Sequence, residues 1–172
     1  GVSAIPSKSS DLNAITRKWG VALREQKILG DPEVALLVGG ADGRPVRHLG
    51  ILGFSKEYLG QDNVVTSSIE NINMATAGIF DVDTSLETKV ETLIRSSESS
   101  GLLEAYQFEY LSEPEDLQKG FSSTGESFVV AARISGAAVS NFEGEIAGRE
   151  GFIPSSENIQ VMLIADTDIL AD

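Results

Sequence analysis

Apolar positions along this chain come in short runs of four to seven residues separated by glycine, serine and acidic turns, with few long helical stripes. Residues 161–165 form an unbroken apolar run closed by Asp166-Thr167-Asp168. Such a run predicts a strand buried on both faces, as in a parallel sheet covered by helices. Its carboxyl end is where open α/β sheets place ligand crevices. Residues 34–38, 44–54, 72–82, 89–95 and 128–134 read as further strands, the last with residues 135–142 as a continuation. Residues 21–30 read as an extended piece that turns at Gly30-Asp31-Pro32, and Gly39-Gly40-Ala41-Asp42-Gly43 as a hairpin tip or loop.

Helical signals are fewer. Leu12, Ile15 and Trp19 share one face, Ser10 suits the N-cap, Asp11 favours the positive end of the dipole, and Gly20 supplies the stop, which predicts a helix over residues 11–19. Ser55 is placed to cap a brief turn ending at Gly60. Ser112, Pro114 and Glu115 form a helix-start signature for a helix ending at Gly120. Residues 63–71 fit a short helix or a loop. Residues 143–158 are rich in Gly, Glu and Ser and read as a mobile loop. Strands outnumber helices, so the reading is one α/β domain over residues 1–172. Its sheet is mixed and largely parallel, with few short helices.

Charge narrows the partners. The formal net charge is -13, and it is uneven: residues 1–60 carry 8 basic and 6 acidic side chains, residues 61–172 carry 5 and 20. An acidic surface repels phosphate backbones, which excludes nucleic acid as a partner. The chain has no cysteine, which excludes disulfides, thiolate zinc sites and a cysteine nucleophile. No apolar run approaches the roughly 18 residues of a membrane-spanning helix. Gly1 in place of an initiating Met is expected for a segment excised from a longer protein.

The candidate chemistry is sparse. The glycine loop at residues 39–43 lacks the Lys-Ser/Thr of a phosphate-binding loop. His48 is the only histidine and lies in Arg44-Pro45-Val46-Arg47-His48. A lone imidazole with no nucleophile elbow nearby reads as structural or as a surface residue. If Arg44, Arg47 and His48 bind something, an anion or a carboxylate fits the guanidinium forks. Asp166 and Asp168 could hold Mg²⁺ or Ca²⁺, but an Asp at a strand end is more often a helix N-cap, and Asp168 before Ile169 suits that role. Asp81 and Asp83 form a similar pair. No catalytic residue and no cofactor is assigned.

Several stretches in order carry a resemblance. They include Lys18-Trp19-Gly20-Val21, Gly43-Arg44-Pro45-Val46-Arg47-His48, Asn71-Ile72-Asn73-Met74-Ala75-Thr76-Ala77-Gly78, Ala131-Ala132-Arg133-Ile134-Ser135-Gly136 and Ile164-Ala165-Asp166-Thr167-Asp168-Ile169-Leu170. Together they resemble the extracytoplasmic region of the ABC-type transport auxiliary family, which includes the gliding-motility auxiliary component of an ABC exporter. The resemblance implies a flavodoxin- or amidotransferase-like α/β relative, of which this chain is a later portion. It also implies a periplasmic location, an ABC permease and ATPase as partners, and membrane attachment only through flanking segments. A non-enzymatic accessory role follows. The alternatives are a metal-dependent hydrolase built on Asp166 and Asp168, or a small-solute-binding protein.

Overall fold

The computed structural model describes residues 12–142, 144 and 150–166. Ten strands fall within them: β1 (Val21–Leu23), β2 (Lys27–Gly30), β3 (Ala35–Gly39), β4 (Pro45–Ser55), β5 (Asn71–Ala75), β6 (Phe80–Val82), β7 (Lys89–Arg95), β8 (Gly101–Glu104), β9 (Val129–Val139) and β10 (Ser155–Ile164). Two α-helices accompany them, α1 (Asn13–Thr16) and α2 (Ala105–Glu109), with short 3₁₀ turns at Arg17–Trp19, Lys56–Tyr58 and Pro114–Gln118.

Every strand pair is antiparallel, which overturns the expectation of a largely parallel, flavodoxin-like α/β sheet. The reason is covalent geometry. A parallel pair needs a crossover of a dozen or more residues, usually a helix. The α-helices here have 4 and 5 residues, too short to return the chain across a sheet.

Three sheets result. In the largest, β9 is central, flanked by β7 on one side and β10 on the other, and β6 and β1 continue past the end of β10. β3, β4 and β5 form a second sheet, and β2 and β8 a two-stranded third. The β3–β4 hairpin closes through Gly40, whose N–H donates to the Arg44 carbonyl at 2.8 Å. Gly43, with φ +77, supplies the left-handed residue this tip requires.

The strand buried on both faces is β9. Val130 and Ala131 pack into the main core with Leu29, Leu52, Phe54, Met74, Ile79 and Leu93. Ala132 and Ile134 pack into a second cluster with Val21 and Phe80. β10 is different. It pairs only with β9 among the described residues, and Ile159, Val161 and Leu163 face the second cluster while Met162 and Ile164 are 44% and 37% exposed. The tail is therefore an edge strand with one wet face, and its unbroken apolar run does not report two-sided burial.

Local signals fared unevenly. Gly20 closes the first helical segment at φ +84, and a Cβ there would meet the Asp83 carbonyl at 2.7 Å. The helix itself is short: α1 begins after Leu12, which offers no side-chain cap, and Ser10 and Asp11 lie outside the described residues. Ser112 caps nothing; Glu113 takes the N-cap position of the 3₁₀ turn. A capping box forms instead between Glu104 and Gln107 at α2. The extended reading of residues 72–82 breaks at Thr76, and its halves, β5 and β6, join different sheets. Of residues 143–158, the last four are strand in β10, while Glu143 and 145–149 lie outside the described residues.

Candidate functional site

Two clefts gather polar side chains. The first, of about 630 Å³, lies between the Ser96–Ser100 loop, the turn at Tyr58 and the residues after β2. Its back wall is built on Asp31, which is fully buried. One Asp31 carboxylate oxygen accepts from the Ser97 N–H at 2.8 Å. The other accepts from the Ser97 hydroxyl at 2.7 Å and the Glu33 N–H at 3.0 Å. The Ser96 and Ser100 hydroxyls meet at 2.8 Å. In front, the Tyr58 hydroxyl and the Ser99 hydroxyl donate to the two oxygens of Glu33, at 2.9 and 3.0 Å.

These bonds decide the electrostatics of the cleft. The Tyr58 hydroxyl, then that of Ser99, hold the Glu33 carboxyl below its ordinary value. Burial, reinforced by Glu33, pushes Tyr58 up to about 12. Near neutral pH Glu33 thus stands as the carboxylate and Tyr58 as the neutral donor to it. The hydroxyls of Ser96, Ser97 and Ser99 donate to the Ser97 carbonyl, Asp31 and Glu33, and His48 is not among the residues lining the cleft. The site carries a preformed hydrogen-bonding surface and no activated nucleophile. Arg95 lines the same cleft and is in no ion pair among the described residues; its guanidinium lies 3.4 Å from the Ser127 hydroxyl.

The second cleft, of about 600 Å³, opens between α1, the β1–β2 turn and the end of β10. Leu23, Ile28, Phe80 and Leu163 line it, with Arg24, Lys27 and Asp166 among its polar groups. Gln26 (φ 59) and Thr76 (φ 54) also line it, and they are the only non-glycine residues with positive φ among the described residues. For a β-branched residue this backbone is a true outlier, and such strain, on the order of 1–3 kcal/mol per residue, gathers at ligand sites.

The residues singled out in the sequence scatter. Arg44 is exposed at the hairpin tip and pairs with Asp42 at 3.4 Å. Arg47 donates to the Ala35 carbonyl at 2.7 Å across the sheet. His48, its neighbour on β4, is buried, and its Nδ1 accepts the Gly50 N–H at 3.2 Å beside the Phe108 ring. Adjacent strand residues point to opposite faces, so the basic cluster does not converge. Asp166 is buried and accepts the Ala75 N–H at 3.1 Å; Asp168 lies outside the described residues. Among the described residues no three metal-ligating side chains come together. No helix among them is long and apolar enough to cross a membrane.

The second cleft opens at the end of the apolar run that Asp166 closes; the first was not legible in the sequence. Ser97 meets Asp31 across 66 positions, and no spacing rule reaches that far. The one local sign was the serine run at residues 96–100, which reads equally as a polar loop.

His48 supplies a pH test. Burial lowers its pKa, so near neutral pH the unfolded chain binds more protons than the folded one. The His48 contribution is complete above the unfolded value of about 6.5 and is lost as pH falls through the folded value. Denaturation midpoints from pH 7 to 5 should fall for the native chain and flatten for His48→Phe. Parallel slopes in the two proteins would remove His48 as the cause.

A family model described as an ABC-type uncharacterized transport system matches residues 1–172. No curated protein and no solved structure matches the chain.

Proposed function

Since this chain belongs to the ABC-type transport auxiliary family over its full length, we propose that it is a non-catalytic binding domain on the periplasmic side of the bacterial inner membrane, working beside the permease and ATPase of its transport system. The family match carries this reading. The first cleft supports it, because its buried carboxylate, Asp31, and its serine loop are bonded to one another as a preformed surface.

The surface we assign to the transport partner is the edge of β10 that no described strand covers. Residues 159–164, Ile-Gln-Val-Met-Leu-Ile, carry no charge, no Pro and no Gly. Edge strands in isolated proteins are blunted by charges, prolines or bulges, and the bulge in β10 lies before Ile159, leaving this stretch regular. An uncharged, regular edge accepts a partner strand through main-chain hydrogen bonds. The net charge of -13 opposes a second copy of the chain in that place and favours a neutral or basic strand.

The test is co-purification of the permease and ATPase with this protein from solubilised membranes. Met162→Glu should cut recovery about tenfold while the melting temperature of the isolated domain stays within a few degrees. Undiminished recovery would remove the edge as the contact. Failure of the native protein to retain either subunit would remove the reading as a whole.

A further inference from the structure

We propose that the cleft between α1, the β1–β2 turn and β10 binds a single-chain aliphatic carboxylate. Its volume of about 600 Å³ falls within the range of small-molecule sites, roughly 300–1,000 Å³. The walls are aliphatic, from Leu23, Ile28, Leu163 and Ile164, and Phe80 is the one aromatic ring among the lining residues. An alkyl chain matches such walls; a flat heterocycle, which seeks aromatic faces, does not.

The polar groups select the head. Arg24 and Lys27 line the cleft, whereas their ion-pair partners, Asp81 and Glu104, are not among the lining residues. Both pairs are partly exposed, with side-chain exposures of 38% and 52% in one and 33% and 43% in the other. The Lys27 pair rests on a single contact and contributes little to stability, so an incoming carboxylate draws Lys27 from Glu104 at small cost. Arg24, held by both Asp81 oxygens and lying over the Phe128 ring, gives up more.

The carboxylates of the lining are turned to other duties. Glu25 faces Arg17 at 3.7 Å and the Asn13 amide at 3.4 Å, and Asp166 accepts the Ala75 N–H. The two strained residues, Gln26 and Thr76, stand on opposite chain segments of the same cleft. A backbone held in the left-handed region on both sides fits a cavity kept open for an occupant.

This inference stands apart from the transport role and is tested on the isolated chain. Titration calorimetry with decanoate, kept below its micelle concentration, is expected to give one saturable site, with binding at least tenfold tighter than that of decanol or decylamine. The double substitution Arg24→Gln with Lys27→Gln should weaken decanoate about tenfold and leave decanol unchanged. Leu163→Trp, which fills the cleft, should abolish both; Ile164→Trp at the exposed mouth does the same where Leu163→Trp does not fold. No saturable binding by the native chain would overturn the proposal. So would tighter binding of decylamine, or decanoate affinity unchanged in the tryptophan variant that folds.

Discussion

Phe54→Ala should cost about 3–5 kcal/mol of unfolding free energy, the range for removing a buried aromatic side chain and leaving a cavity. Phe54 is fully buried in β4, the middle strand of its sheet, opposite Ile72 on β5. It meets Tyr58 edge-on at 6.3 Å and belongs to the main cluster with Leu52, Leu93 and Val130. That cluster joins the β3–β4–β5 sheet to β7 and β9, so little around the site can collapse into the gap. Domains of this kind are stable by only about 5–15 kcal/mol, and the variant would lose a large share. Urea denaturation should show a lower midpoint with an unchanged slope. Leu37→Ala on β3, where the side chain is 64% exposed, is the control and should stay within about 0.5 kcal/mol. A loss below about 1 kcal/mol at Phe54 would contradict the position of β4 at the centre of the core.

The second large effect is expected at Asp31. Its carboxylate takes three donors from two segments: the Ser97 N–H and the Ser97 hydroxyl, both buried, and the Glu33 N–H, which is partly buried. Asp31→Ala leaves the two buried Ser97 donors unsatisfied, at roughly 1–3 kcal/mol for each buried group. A loss of about 3 kcal/mol follows, with faster exchange of the Ser97 amide hydrogen. Asp31→Asn keeps one acceptor and should cost about half as much on the same accounting. Equal losses for Asn and Ala would mean that cavity formation, not hydrogen bonding, sets the price of the change.

The Asp31 site shows where sequence reading stopped. Gly30-Asp31-Pro32 announces a turn, and the Glu33 N–H does bond back to the Asp31 side chain as an Asx turn does. The greater part of the role of Asp31, holding the serine loop, depends on a residue 66 positions away. The basic stretch at residues 44–48 failed for the opposite reason. Its members are adjacent in sequence, but strand alternation sends Arg47 to the surface and His48 into the core. Asp166 was noticed as the end of an apolar run, and it does line a cleft, with its carboxylate already accepting from Ala75.

Several features were determined by the sequence alone. The period and punctuation of apolar residues located β3, β4, β7 and β9, the hairpin tip at residues 39–43 and the helix stop at Gly20. The ordered stretches pointed to the family that the whole chain matches. Tertiary structure decided the direction of strand pairing, the two-faced burial of β9 in place of the tail, and the placing of both clefts. Alternation and turn residues act over a few positions, and a strand of given pattern is equally content beside a parallel or an antiparallel neighbour. Helices of 4 and 5 residues, too short to carry the chain across a sheet, settled that choice.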